Sequence, residues 1–250
     1  MIIDVSNTIG KHRFKPEIKM ESLLLEMDQA GVDIAIIHCY AECPDNESIE
    51  TAMKKYPNRF VGLFTVNPWV PHCNEKLEEA FSKKGFQGLF LDPLRCGFAL
   101  SESEIVYPLM EICKQYNKTV LCMGAAEVFS APVFFSKIAL DFPDVNIIMG
   151  RMGLQYDNAS AVHISKSFSN VFLETSGSMD FNVKRAINNA GEHKVLLGTG
   201  TPDTGCFQLE LSKVRHAANE MNVNEDLILA QNAARLFNIS VEEESILWKS

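Results

Sequence analysis

A single closed (β/α)8 TIM barrel, an α/β fold, is what this sequence predicts, and three observations point to it. Eight short apolar runs alternate with amphipathic stretches almost from end to end. The chain has 250 residues, and one such barrel typically takes about 250. The turn after the first run reads SNTIGKHRF. It lacks the glycine-rich phosphate loop that would signal an open, doubly wound nucleotide-binding sheet.

The elements follow in order. Strands are expected over Met1–Val5, Asp33–His38, Phe60–Asn67, Gly88–Asp92, Thr119–Met123, Asn146–Gly150, Val171–Thr175 and Lys194–Gly198. Several are continuous apolar runs (IAIIH, VGLFTV, NIIMG, KVLLG), as in parallel strands buried on both faces. The first helix is expected over 18–30, with Leu23, Leu24 and Met27 on one face and Gly31 as its stop. The stretch Ser101–Tyr116 opens with Ser101 and Glu104 in capping-box spacing. Further helices are expected at 46–56, 74–84, 130–141, 157–167, 180–190, 206–221 and 224–237. With no linker or repeat in between, residues 1–250 read as one domain. Its tail, 238–250, carries apolar Ile246, Leu247 and Trp248 and is expected to dock or to lie on the barrel.

Composition narrows the function classes. Hydrophobic residues make up 46% and charged residues 22%, which places the chain among ordered globular proteins. A net charge of −9, with no long basic run, argues against nucleic acid and anionic membrane as partners. No window approaches the roughly 20 apolar residues of a membrane span. The N-terminal MIIDVSNTIG has no basic region leading into an apolar one, so the cytoplasm is the expected location. Cys39, Cys43, Cys73, Cys96, Cys113, Cys122 and Cys206 lack paired CxxC spacing and read as free thiols.

A set of motifs carries more information. These are Ile2-Ile3-Asp4, Glu26-Met27-Asp28-Gln29-Ala30-Gly31-Val32-Asp33, and Tyr56-Pro57-Asn58-Arg59-Phe60 followed by Val66-Asn67-Pro68. Later come Gly85-Phe86-Gln87-Gly88, Phe142-Pro143-Asp144, Gly150, Met152-Gly153, Thr175-Ser176-Gly177-Ser178 and Asn232-Ala233-Ala234-Arg235-Leu236-Phe237. In order and spacing, from Met1 to about Asn238, they resemble the amidohydrolase family of metal-dependent hydrolases and decarboxylases, the group related to aminocarboxymuconate semialdehyde decarboxylase.

The resemblance implies a metal site at the C-terminal ends of the strands, and there the chain departs from the pattern. Ser6 and Thr8 stand where the family's first strand carries two histidines after Asp4. Asp92-Pro93 replaces the His-Pro pair of many relatives. Met123 and Arg151 replace the histidines ending the fifth and sixth strands, and Gly200 replaces the catalytic aspartate of the eighth. Hydroxyls and a thioether are poor zinc donors, and a guanidinium brings a fixed positive charge. The expectation is a dismantled metal site, with no metal ligand and no cofactor.

Arg151 would need counter-charges, and an Asp4–Arg151–Asp92 cluster is expected to replace the ion, either as structural infill or as a grip on a ligand anion. His38, ending the second strand, is a candidate general base or a structural group, and Asp92 is the other candidate for catalysis. Cys39 and Cys122 would need a base to act as nucleophiles, and His38 is the one in place. Glu174 is expected to line the mouth or pair with a rim cation. His12, His72, His163, His193 and His216 are expected to face solvent. The phenylalanines Phe129, Phe134, Phe135 and Phe168 read as packing.

Three functions fit. One is a non-catalytic binding or partner subunit, taking a small anionic ligand and forming a homo-oligomer or pairing with a paralogous subunit. Another is a metal-independent hydrolase or lyase for a small carboxylate, with Arg151 as anchor and His38 or Asp92 moving the proton. The third is a metal-dependent hydrolase using rearranged ligands such as Asp4, His38, Asp92 and Cys122.

Overall fold

The computed structural model describes residues 1–125 and 128–240. Eight parallel strands follow one another around a single sheet: β1 (Ile3–Thr8), β2 (Ile34–His38), β3 (Phe60–Thr65), β4 (Gly88–Leu91), β5 (Thr119–Met123), β6 (Ile147–Gly150), β7 (Val171–Glu174) and β8 (Val195–Leu196). The circle closes between β1 and the segment that continues β8. Val5 N donates to Leu197 O at 3.0 Å, Gly200 N to Ser6 O at 2.9 Å and Thr8 N to Thr201 O at 2.9 Å. This is the expected TIM barrel.

Helices join the strands: α1 (Met20–Ala30), α2 (Asn46–Lys55), α3 (Cys73–Lys83), α4 (Pro93–Cys96), α5 (Ser103–Gln115), α6 (Pro132–Asp141), α7 (Asn158–Ser167), α8 (Asp180–Ala190), α9 (Phe207–Glu220) and α10 (Asn232–Phe237). A π-helical turn, Leu227–Gln231, leads into α10. Their amphipathic faces bury residues such as Leu23, Met27, Leu77, Phe135 and Val214 against the strands. Gly31 ends α1 in the left-handed region (φ 72°), where its N–H bonds Met27 O, as its position in the sequence implies. Phe134 and Phe168 also pack on the core. Among the described residues, no helix is long and apolar enough to cross a membrane.

Three expectations about elements need correction. The first strand runs three residues further than the apolar pattern suggests, and the eighth is shorter. At the mouth both segments are polar yet buried, because closure of the barrel satisfies their backbone groups. The capping box does not form. Helix α5 begins at Ser103, and Glu102 turns its carboxylate to Ala99 N at 3.0 Å. A one-turn helix, α4, appears directly after β4, with Asp92 as N-cap and Pro93 in its first turn. The expected docking residues Ile246, Leu247 and Trp248 lie outside the described residues.

Candidate functional site

The C-terminal ends of the strands converge on one recess. It is lined by Ser6 and Thr8 from β1, His38 and Tyr40 at β2, Asp92 and Arg95 after β4, Met123 from β5, Arg151 after β6, and Gly200, Asp203 and Thr204 after β8. Its volume is about 20 Å³, room for about one water. Ordinary small-molecule sites hold roughly 300 Å³ or more. Of the nine pocket residues expected from sequence, seven line this recess. The other two, Asp4 and Glu174, are fully buried and are not among its lining residues.

Asp4 is held from three sides. Thr199 Oγ1 donates to its Oδ2 at 2.5 Å, while Thr199 N and Ser6 N donate to Oδ1 at 3.1 and 3.0 Å. Burial pushes its pKa up to about 7 even though all three donors favour the ionised form. Asp92 accepts Arg95 N at 3.1 Å and pairs with Arg95 Nε at 3.3 Å. Burial raises its pKa too, against the pull of Arg95. Asp92 therefore caps α4 with the carboxylate proposed for proton transfer.

The expected Asp4–Arg151–Asp92 cluster does not form. Among the described residues Arg151 makes no ion pair, because Thr199 and Arg95 have taken the two carboxylates. Its Nη2 donates to Thr204 Oγ1 at 3.0 Å, its backbone N donates to Glu174 Oε2 at 2.8 Å, and its buried Nε has no partner. Glu174 also accepts Ser176 N at 2.5 Å and Ser176 Oγ at 2.9 Å. Arg151, Met152 and Leu154 all have positive φ (62°, 30° and 49°). For residues with a Cβ each such conformation costs of order 1–3 kcal/mol, and it persists only where surrounding contacts hold it. Glu174 supplies one of those contacts.

His38 stacks on Phe90 with centroids 3.6 Å apart and rings 7° from parallel. Burial drives its pKa down to about 3, and nearby Arg151 adds to the effect, so the ring is neutral at pH 7. Its Nδ1 faces Cys39 O at 3.3 Å, and Nε2 is buried without a partner. The Cys–His nucleophile does not assemble. The hydrogen bond of His38 goes to the Cys39 carbonyl, and burial pushes the Cys39 thiol up to about 12. Cys122 is likewise raised by burial, and all seven cysteines are free.

Sequence reasoning missed Tyr40, Arg95, Asp203 and Thr204. Tyr40 follows His38 by two residues, a spacing that keeps the same side of an extended chain. Asp203 lies three residues beyond Gly200 and returns a carboxylate to the mouth. Although burial would raise its pKa, Tyr40 and Lys15 hold it below the usual carboxylate range. His12, expected to face solvent, instead packs edge-on against Tyr40 at 4.4 Å, with its side chain 7% exposed. Its loop also reaches the segment after β8, next to β1 in the closed barrel, where Lys15 pairs with Asp203 at 3.0 Å.

Seven buried polar side-chain atoms lack a hydrogen-bond partner among the described residues. His38 Nε2 and Arg151 Nε belong to residues lining this recess, as does Tyr40 Oη, which lies beside the Asp203 carboxylate outside good hydrogen-bond geometry. A larger groove of about 660 Å³, reaching from Pro44 past Phe64 to Lys84, has none among its lining residues. Of the described His, Cys, Asp and Glu residues, only Asp180, His216 and Glu220 bring three ligand atoms within 4.8 Å. They lie on α8 and α9, and Lys184 Nζ is 2.9 Å from Asp180 and 2.6 Å from Glu220.

A family model described as amidohydrolase matches residues 23–239. No curated protein sequence matches the chain. Among solved structures, the 5-carboxyvanillate decarboxylase of Sphingomonas paucimobilis superposes with a TM-score of 0.73 at 14% identity, over 96% of this chain and 99% of that one. The 2,6-dihydroxybenzoate decarboxylase of Rhizobium gives 0.72 at 14% identity, over 95% and 98%. The 5-carboxyvanillate decarboxylase of Novosphingobium aromaticivorans, complexed with manganese and 4-hydroxy-3-methoxy-5-nitrobenzoic acid, gives 0.66 at 19% identity, over 87% and 79%. At such identities the likeness is one of fold.

Proposed function

Starting from the premise that this chain belongs to the amidohydrolase family, we propose that its barrel mouth binds a small carboxylate directly on Arg151, with no metal, as a non-catalytic binding or partner subunit. The observation that carries this reading is the unpartnered, buried Nε of Arg151 in a recess whose other unpartnered atoms are also polar. A buried donor without an acceptor costs about 1–3 kcal/mol, and a bound anion would recover it.

The residues present do not fit the metal that the family resemblance implies. Zinc would need anionic or neutral N, S or O donors at about 2 Å. At the positions of the family's ligands the mouth offers the hydroxyls of Ser6 and Thr8, the Met123 thioether and a guanidinium. Among the described residues, the His38, Asp92 and Asp203 groups that also line it do not bring three ligand atoms within 4.8 Å of one another. The rearranged set of Asp4, His38, Asp92 and Cys122 does not gather its ligand atoms into a group of three.

Asp203 favours a second reading, a metal-independent lyase or hydrolase for a small carboxylate. A carboxylate held ionised at the mouth would orient the neighbouring Tyr40 hydroxyl as a proton donor while Arg151 grips the substrate. His38, neutral but with a pKa near 3, is a weak base.

Elemental analysis after expression with added zinc and manganese, then dialysis, should find well under one metal per chain. A small carboxylate at 100 times its Kd should raise stability by about 2.7 kcal/mol, and Arg151→Met should abolish that gain. One tightly held metal per chain would sink the proposal, as would unchanged carboxylate binding by Arg151→Met.

A further inference from the structure

Helix α10 crosses the base of the barrel. At its start Asn232 Nδ2 donates to the carbonyl of Val195, the first residue of β8, at 2.8 Å. At its end Thr119 Oγ1, at the start of β5, donates to Leu236 O at 2.8 Å. The Phe237 ring lies 3.4 Å from where a Cβ on Gly88, the first residue of β4, would stand. The chain therefore reaches Ser240 beneath β4, on the opposite side of the base from β8. Beyond it the sequence reads VEEESILWKS, three acids and then three large apolar residues.

The surface beside that point offers the same order. Lys54 at the end of α2 and Lys84 at the end of α3 share a shallow hollow with Gln87, and Lys118 Nζ donates to Gln87 Oε1 at 2.8 Å. Among the described residues, Glu50 is the one acid paired with any of these three lysines. Lys84 also stands at one end of the groove of about 660 Å³ between α2 and α3. Further along, Phe64, Val66 and Val70 line that groove from β3 and the loop after it.

We propose that residues 241–250 of the same chain occupy this groove. Glu242, Glu243 and Glu244 meet the lysines at its near end, and Ile246, Leu247 and Trp248 cover Phe64, Val66 and Val70. An extended chain spans at most about 3.3–3.6 Å per residue, so Trp248 can lie up to about 29 Å from Ser240. The six residues of β3, which the groove follows, measure about 20 Å. Tethering gives the segment a high effective concentration at the groove, which a free molecule lacks. Covering apolar surface on both sides supplies the driving force. This docking is independent of the carboxylate reading of the mouth.

Two thiols report on it. Cys43 and Cys73 both line the groove and are part-exposed, while Cys206 is exposed and Cys113 is buried elsewhere. The test measures iodoacetamide labelling of each cysteine in the full chain by peptide mass spectrometry. In the double variant Leu247→Asp, Trp248→Asp, Cys43 and Cys73 should label about tenfold faster than in the wild type, as expected when a closed segment opens. Cys206 should keep its rate and Cys113 should stay unlabelled. If Cys113 also labels, the fold has loosened, and the triple variant Glu242→Gln, Glu243→Gln, Glu244→Gln decides by the same two rates. Rates at Cys43 and Cys73 that stay at the wild-type level in both variants overturn the proposal. Wild-type protection that is lost on dilution also overturns it, because the covering segment then belongs to a second copy.

Discussion

The carboxylate of Glu174 accepts the backbone N–H of Arg151 at 2.8 Å, so a fully buried acid at the end of β7 fixes the main chain of the residue that follows β6. The contact goes to the backbone and leaves the guanidinium of Arg151 free for the recess. Gly198 makes room for it, since a Cβ there would overlap Glu174 Oε1. Glu174→Ala should therefore strand two backbone N–H groups and the Ser176 hydroxyl. Its expected cost in urea unfolding is about 3 kcal/mol, set by roughly 1–3 kcal/mol per unpaired buried group.

Gly198→Ala tests the same contact from the other side. Overpacking should cost about 1–3 kcal/mol in the wild type. In a Glu174→Ala background the same substitution should cost clearly less, because the overlapping oxygen is gone. Strict additivity of the two changes would show that Gly198 is not kept for Glu174.

Asp4 should make stability fall as pH rises. Its folded pKa, near 7, lies above its ordinary value of 3.8, so between those values the folded state binds the extra proton. The contribution of this group is then fully present below about pH 4. It falls by about 1.4 kcal/mol for each pH unit across that window and is lost above pH 7. In denaturation series across pH 4–8, Asp4→Asn should lose that downward slope. Thr199→Val, which removes a donor to the ionised form, should move the window upward.

His38 acts with the opposite sign. Its folded pKa, near 3, lies below 6.5, so the unfolded chain binds the extra proton between those values. Its contribution to stability is full above pH 6.5 and is lost as pH falls toward 3. His38→Gln should therefore flatten the rise of stability between pH 4 and 6.5. If wild type and variant keep parallel pH profiles, the ring is not buried in its neutral form.

Gly31→Ala should cost about 1 kcal/mol, the usual penalty for a side chain in the left-handed region. Nothing lies within 4 Å of the added Cβ, so no steric clash adds to it. Gly31→Asn should cost less, because asparagine tolerates that conformation. Thermal unfolding of both variants would separate the two.

Much of the architecture was legible because burial on both faces leaves a one-dimensional trace. Apolar runs such as IAIIH and NIIMG had to be interior strands, and the amphipathic stretches between them had to cover those strands. The positions of Ser6, Thr8, Met123, Arg151 and Gly200 at strand ends came from motif order alone, and all five line the recess. Where hydropathy was silent the reading slipped. Ser6, Asn7 and Thr8 are polar, and they extend β1 because β2 on one side and the closing segment on the other pair with them.

The sequence by itself thus determined the barrel and the placing of Ser6, Thr8, Met123, Arg151 and Gly200 around its mouth. Only the tertiary structure decided how those side chains share their hydrogen bonds. Residues distant in the chain compete for each carboxylate. Thr199 claims Asp4, Arg95 claims Asp92 and Lys15 claims Asp203, so Arg151 ends without an ion-pair partner among the described residues. Hydrophobic burial is additive and local enough to leave a pattern in the sequence. The pairing of polar groups depends on distances between strands, and these exist only once the barrel has closed.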